Sequence, residues 1–321
     1  MITRRSRRSI ARLAMSYREL LLVLLAAVVG LIAHRPLRWL GAHHGIDALL
    51  MVLVFSSAIT VSTDAFEHLR ASWRRVVVAL LACAAVLPAL SWLASRVVAA
   101  GSLRNGVLAI GLAPCEIASV AATGMAGGET IIAAAVLVGS TALSVALAGP
   151  VLAVEAGHAG VRPGGVLVSL LIVVALPLAA GVGLRARWPT LERHDDTAGN
   201  VGVAALIGLV ALVAAQAQLG RAYVGVLFAV LIFLAGSAAL GALLGRRTAR
   251  GVAIPLLLTT SMRDFAIAAG LASVAFGPRS AAPLGLYGVV VLAWGTGVGG
   301  TFRRAGGHLN AMDVNDDGGC R

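Results

Sequence analysis

The side chains best suited to bind a ligand lie in one apolar stretch, between Ile110 and Glu129. Within it, Pro114, Cys115 and Glu116 interrupt the apolar sequence. A carboxylate is costly in such surroundings unless it faces a cavity, a partner or an ion. A proline beside polar residues breaks a membrane helix where freed backbone groups can serve a ligand. The stretch therefore predicts a binding site inside a membrane.

A second charged interruption occurs late in the chain, at Arg263 and Asp264. Together with Glu116, these are the ionisable residues deepest in apolar sequence. Glu116 is a candidate to carry a proton or a cation. The candidates to contact the substrate are Glu116, Arg263, Asp264 and the adjacent Cys115. The alternative is a structural pair that neutralises two crossing helices. Because adjacent residues point about 100° apart on a helix, we expect Arg263 to pair with Glu116 rather than with Asp264.

Cys115 and several oxygen-bearing residues complete the candidate site. A Cys115 thiolate suits a soft metalloid, although a cysteine in apolar sequence is also a small packing residue. Hydroxyl groups and freed carbonyls suit a cation, although Ser and Thr also bond locally to helix carbonyls. The candidate cation ligands are Glu116, Ser119, Thr259, Thr260, Ser261 and Met262.

Composition places the chain in a membrane. Of its 321 residues 59% are hydrophobic and 12% are charged, with a mean hydropathy of +0.92, which is typical of a polytopic membrane protein. The formal net charge is +12, but the sequence has no lysine and no run of basic residues interleaved with aromatic ones. Nucleic acid is therefore not an expected partner. The sequence has no zinc-ligand spacing and no hydrolase or nucleotide-binding motif. We expect no enzyme activity, no cofactor and no resident metal.

The hydropathy pattern predicts an all-α protein with ten transmembrane helices. They form two inverted five-helix repeats, over 19–156 and 164–301, in which the fourth and ninth helices are broken and cross. Residues 1–18 are predicted to be a basic cytoplasmic tail, and 302–321 a disordered cytoplasmic tail. The segments are 19–34, 46–62, 75–99, 105–126, 129–154, 165–184, 199–218, 222–244, 252–275 and 282–301.

The arginines predict the orientation. With the N-terminus inside, 18 arginines lie in the inside segments and 7 in the outside loops, and Arg263 lies within a span. Because inside loops are enriched in basic residues, we expect both termini to be cytoplasmic and the protein to lie in the cell membrane.

Several positions resemble the bile acid:sodium symporter family, which belongs to a superfamily with the arsenical-resistance permeases. The resemblance covers nearly the whole chain. The matching positions are Phe55, Thr60, Phe66, Arg70, Pro114, Ala118, Ser119, Ser140, Thr141, Pro177, Gly181, Met262 and 266–272. It implies ten spans, two crossing broken helices and sodium-coupled uptake of organic anions.

The resemblance also implies sodium ligands, of which Ser119 keeps the family's residue. Val120, Thr259 and Cys83 stand where the family has asparagine, glutamate and glutamine. Cys115 and Glu116 replace two glycines, so this chain supplies different polar groups at the break. A single cation or a proton therefore remains an alternative to two sodium ions.

Three functions remain open from the sequence. The first is a secondary transporter that moves a small organic anion with a sodium or proton gradient. The second is arsenite or antimonite efflux through Cys115, because Gly111 to Cys115 is similar to the arsenical permeases. The third is a non-transporting receptor on the same fold.

Overall fold

The computed structural model describes residues 21–59, 73–155, 163–217 and 220–298. Within these ranges the chain is almost entirely helical, and its one extended pairing is an isolated bridge between Cys115 and Arg263. The predicted tails lie outside the described residues, as do three positions of the family resemblance (Thr60, Phe66 and Arg70).

Thirteen helices follow one another in the described ranges, besides a short 3₁₀ helix over Pro189–His194 between the eighth and the ninth. In chain order, α1 to α13 are Leu21–Ile32, His34–Ala42, Gly45–Ile59, Trp73–Ser95, Ser102–Leu112, Ala118–Met125, Thr130–Glu155, Pro163–Arg187, Asp195–Gln216, Ala222–Gly245, Arg250–Ser261, Phe265–Phe276 and Pro278–Val298.

Six of these helices are long and apolar enough to cross a membrane by themselves: α4, α7, α8, α9, α10 and α13. The pair α1 and α2, bent by 95°, makes a seventh if it counts as one span. The protein is therefore an all-helical, multi-pass membrane protein with six or seven such helices. The count of ten depends on α3 and on the short halves of the broken helices, and it stays a prediction.

Two helix pairs are interrupted near their middle, as the sequence predicted. The first break separates α5 from α6, and the second separates α11 from α12. At the first break Ala113 is extended, with φ −64° and ψ 149°, because the residue before a proline is pushed out of the helical region. At the second, Met262 is extended, with φ −96° and ψ 104°.

Small residues let these broken helices pack closely against their neighbours. A Cβ added to Gly111 would lie 2.4 Å from the Leu87 carbonyl oxygen, and one added to Gly241 would lie 2.8 Å from Leu257 Cα. Close backbone approach of this kind is how membrane helices gain packing energy. The broken helices are thereby fixed against α4 and α10.

Candidate functional site

The two breaks cross as a short antiparallel pair. The Glu116 N–H donates to the Met262 carbonyl at 2.9 Å, and the Asp264 N–H donates to the Pro114 carbonyl at 2.9 Å. Backbone groups freed inside a membrane need such partners because no water is available there. Each break therefore satisfies polar groups of the other.

Side chains from α7 and α13 bind the remaining amides of the crossing. The Cys115 N–H donates to Ser140 Oγ at 3.0 Å, and the Arg263 N–H donates to the Tyr287 hydroxyl at 3.0 Å. On α7, Ser144 Oγ also donates to the Leu112 carbonyl at 2.6 Å. The Tyr287 contact was not predicted, although a phenol in an apolar helix normally has a polar partner when it is buried.

Arg263 is bound to the backbone, not to a carboxylate. Its Nε donates to the Ala113 carbonyl at 2.9 Å, its Nη2 donates to the same oxygen, and its Nη1 reaches the Thr259 carbonyl at 3.5 Å. No ion pair joins Arg263 to Glu116 or Asp264 in the described ranges. The predicted Arg263–Glu116 pair is therefore wrong, because the breaks free carbonyls that the guanidinium satisfies instead.

Each carboxylate lies at the start of a half-helix. Asp264 Oδ1 accepts from the Ala266 N–H at 2.9 Å and from the Ile267 N–H at 2.8 Å, and so caps α12. The Glu116 carboxylate lies beside the first amides of α6 and beside the Phe265 N–H. Because the N-terminus of a helix favours negative charge, these positions stabilise two acidic groups in an apolar region.

Two buried polar atoms near the first break make no close hydrogen bond within the protein, although the Ser119 hydroxyl lies near the Cys115 thiol. They are Glu116 Oε2 and Ser119 Oγ, in side chains that are 8% and 0% exposed. A buried polar group without a hydrogen bond is costly. The arrangement is typical of a site that is completed by a ligand.

Two cavities lie beside the crossing. The larger, of about 470 Å³, is lined by α3, α7 and α8 together with Ile117, Asp264 and Ile267. The smaller, of about 120 Å³, is lined by residues of α1, α6, α9 and α13 together with Glu116 and Met262. Asp264 and Glu116 therefore line different cavities.

A third cavity, of about 20 Å³, contacts Cys83, Ser140, Ser144 and Arg263. It is large enough for about one water molecule. Arg263 lines this cavity and neither of the two larger ones.

Cys115 packs in an apolar cluster and lines none of these three cavities. The residue is fully buried against side chains of α4, α7 and α11, including Ala79, Val136 and Leu256. Such surroundings are those of a packing cysteine.

The hydroxyl groups that end α11 bond mainly to nearby protein atoms. Thr259 Oγ1 donates to the Pro255 carbonyl at 2.6 Å, and Ser261 Oγ donates to the Leu257 carbonyl at 2.7 Å. Thr260 Oγ1 accepts from Cys83 Sγ at 3.8 Å. Among the described residues, no group of three or more His, Cys, Asp or Glu side chains is arranged to hold a metal ion.

Comparison with known proteins gives a match to one family. The model of the sodium bile acid symporter family matches residues 48–226, which include the first break. The uncharacterized sodium-dependent transporter YocS of Bacillus subtilis (strain 168) is 26% identical over 280 residues, which cover 83% of this chain and 85% of the relative.

Proposed function

The chain belongs to the sodium bile acid symporter family, and on that premise we propose that it is a secondary transporter driven by a cation gradient across the cell membrane. The relative described as a sodium-dependent transporter makes sodium the first candidate for the coupling ion, and a proton carried by Glu116 is the second. The proposal is that the protein is a transporter rather than an enzyme and that it uses no cofactor.

The unpartnered oxygens of Glu116 and Ser119 are the observation that carries this proposal. A carboxylate oxygen and a hydroxyl oxygen are suitable ligands for a hard cation such as Na⁺. The Met262 side chain lies at the same small cavity as Glu116. The predicted ligands Thr259, Thr260 and Ser261 remain part of the proposed site at the end of α11, as backbone carbonyls or hydroxyl lone pairs.

The proposed architecture has ten spans in two inverted repeats. The first repeat contains α1 and α3 to α7, and the second contains α8 to α13. The larger cavity is lined by α3, α7 and α8. The helices at the equivalent positions of the opposite repeats are α9, α13 and α1, respectively. These three helices line the smaller cavity. This correspondence supports an inverted repeat with one cavity per side, as alternating access requires.

The arginine distribution supports cytoplasmic termini, which we include in the proposal. For the cargo, the family description and the sequence suggest a small organic anion. Arg263, which the sequence predicted to contact it, is bound to the Ala113 and Thr259 carbonyls instead. Arsenite efflux gains no support, because Cys115 packs in an apolar cluster. The alternative is a non-transporting receptor on the same fold. A flux measurement distinguishes it from a transporter.

The coupling site can be tested without knowing the cargo. Purified protein is melted in sodium, potassium or choline chloride at equal ionic strength, and also at different pH values. Because a ligand that binds the folded state stabilises it, sodium should raise Tm by several degrees over the other salts. Glu116→Gln should abolish the difference and Ser119→Ala should reduce it, whereas Glu129→Gln, which changes an exposed carboxylate, should retain it.

Equal melting in all three salts and at every pH would contradict cation coupling at Glu116. Flux is then measured in proteoliposomes with an imposed sodium or proton gradient. Ion-dependent binding of a solute without any flux of that solute would favour the receptor.

A further inference from the structure

We propose that Trp294 is a positioning residue for Glu116 and that it acts through the backbone of the second break. The inference rests on the proposed transporter function, because it concerns the carboxylate that would bind the coupling cation. Trp294 lies on α13 and was not among the site residues predicted from the sequence.

Two side chains of α13 hold the backbone on either side of Met262. The Trp294 indole N–H donates to Ser261 Oγ at 3.0 Å, and the Tyr287 hydroxyl accepts from the Arg263 N–H at 3.0 Å. Because an indole nitrogen is a donor only, Ser261 Oγ is the acceptor in the first bond. The extended residue Met262 is thereby fixed through both of its neighbours.

Met262 connects this support to Glu116. The Met262 carbonyl accepts from the Glu116 N–H at 2.9 Å, and both residues line the smaller cavity. The Glu116 side chain is 8% exposed, its Oε2 makes no close hydrogen bond within the protein, and the donors beside the carboxylate are backbone amides. The position of this carboxylate therefore depends on the backbone around it, and a shift of Met262 would move it.

Two glycines bring α13 close to the second break, and each directly follows one of the two supporting side chains. A Cβ added to Gly288 would lie 2.8 Å from Phe265 Cδ2, and one added to Gly295 would lie 2.8 Å from Met262 Sδ. The two pairs are seven residues apart, which is about two turns of an α-helix. One face of α13 thus holds the break through two hydrogen bonds and two close contacts.

Trp294 differs from the other tryptophans of the chain in its surroundings. Trp39, Trp73, Trp92 and Trp188 are 38–65% exposed, as is typical of residues that anchor helices at the membrane interface. Trp294 is less exposed, and its indole nitrogen is bound to the break. Anchoring in the interface therefore explains those four residues but not the contact of Trp294.

The test separates stability from cation affinity in the same purified protein. Tm is measured over a range of sodium chloride concentrations, with choline chloride as the balancing salt, which gives a baseline Tm and the sodium concentration at half-maximal stabilisation. Trp294→Phe removes the indole N–H and keeps an aromatic ring. The half-maximal sodium concentration should rise about fivefold, the equivalent of about 1 kcal/mol. If the coupling ion is a proton, the midpoint pH of the melting profile should move by about 0.7 unit.

Matched variants on α13 supply the control. Gly295→Ala places a Cβ against the Met262 side chain and should also raise the half-maximal concentration. Gly297→Ala, whose added Cβ meets nothing within 4 Å, should leave it unchanged, and so should Trp92→Phe. If Trp294→Phe does not fold, the comparison of Gly295→Ala with Gly297→Ala decides, and equal half-maximal concentrations in these two variants would overturn the inference.

Ser261→Ala removes the same hydrogen bond as Trp294→Phe, so the effects of the two changes on the half-maximal concentration should not add. Fully additive effects would contradict the proposed route through Ser261. A Trp294→Phe protein with a lower Tm at every sodium concentration, but with the half-maximal concentration of the parent, would show that Trp294 is merely structural and would overturn the inference.

Covalent labelling of Glu116 keeps this inference distinguishable from the proposed function. Dicyclohexylcarbodiimide is an apolar reagent for buried carboxyl groups, and the rate of its reaction with Glu116 is read by peptide mass at fixed pH without sodium. The rate should differ from that of the parent in Trp294→Phe and Gly295→Ala but not in Gly297→Ala. Cation-dependent melting without any of these differences would overturn the positioning role and leave the transporter proposal standing. Altered labelling without cation dependence in the parent would support the positioning role and contradict the coupling mechanism.

Discussion

Arg263 lies at the crossing of the two broken helices, where its guanidinium forms hydrogen bonds to backbone carbonyls. The guanidinium donates to the carbonyls of Ala113 and Thr259 and is 4% exposed. A planar group with several donors suits this task better than an ammonium group. The residue therefore joins the two broken helices and does not face the larger cavity.

Replacing Arg263 should lower stability more than it changes ligand preference. Arg263→Met leaves the two carbonyls unpaired, at about 1–3 kcal/mol for each buried group, and Arg263→Lys should recover part of that loss. Thermal melting of the purified variants gives the order Arg, Lys, Met. An Arg263→Lys protein that melts like the parent but loses affinity for an anionic probe would show that the guanidinium binds cargo instead.

At the residue scale the sequence located the two breaks but not all of their contacts. Glu116 and Asp264 were predicted as site residues because a charge in an apolar segment is costly, and that role stays a prediction. The expected partner of Arg263 was wrong because it was derived from helical geometry, whereas the residue lies in an extended break. Tyr287 was missed because its role depends on a contact with a residue 24 positions earlier in the chain.

The crossing of the broken helices is held by matched hydroxyl groups on α7 and α13. Ser140 accepts from the amide of Cys115, and Tyr287 accepts from the amide of Arg263. Cys115 and Arg263 are themselves the bridged pair. Both faces of the crossing therefore depend on a hydroxyl from the helix that ends the proposed repeat.

Removing either hydroxyl should destabilise the protein by a similar amount. Ser140→Ala and Tyr287→Phe each leave one buried N–H unpaired, at about 1–3 kcal/mol. Ser237→Ala is the control, since that buried hydroxyl bonds to a carbonyl of its own helix. Unfolding in a graded denaturant series gives the comparison, and a loss in the control as large as in the two variants would contradict the assignment.

At the element scale, the two breaks were predictable and α2 was not. Pro114 and the charged residues marked the interruptions, and both occur where they were expected. The segment His34–Ala42 was treated as part of a loop, yet it is helical and bends away from α1 by 95°. Arg38 fixes it by donating to the Ala215 and Ala217 carbonyls at the end of α9, a contact between residues far apart in sequence.

At the scale of the whole molecule, the main feature is the pair of cavities beside the crossing of the broken helices. One is lined by Asp264 and the other by Glu116. If the repeats alternate, access to the two cavities changes in opposite directions, because the crossing itself is held by backbone bonds and moves as a unit.

Single cysteines in the two cavities should report this alternation. In a background without the native cysteines, Ala179→Cys samples the larger cavity and Thr296→Cys the smaller. Labelling with a membrane-impermeant thiol reagent from each side should show opposite sidedness, and sodium should protect one position while exposing the other. Labelling of both from the same side, or unchanged by sodium, would contradict alternating access.

At the scale of the whole molecule, the hydropathy pattern predicts ten membrane spans, whereas helix length gives six or seven. The difference has a physical reason. A broken span consists of two halves, such as α5 with 11 residues and α6 with 8, and each is too short to cross a bilayer alone. Hydropathy detects the continuous apolar stretch, whereas helix length detects the interruption. The sequence could predict the stretch, but not which helices would line the same cavity.

The antiparallel bridge between the breaks also has a consequence for how the chain is made. The Pro114 carbonyl and the Glu116 N–H find their partners at Asp264 and Met262, roughly 150 residues later in the sequence, the separation spanned by the Arg263–Ala113 bond. During synthesis the polar backbone groups of the first broken helix therefore lack their partners until most of the protein has been inserted, and the bilayer cannot satisfy them. Closing this bridge is a late, non-local step, and it is the event that turns inserted helices into a finished site.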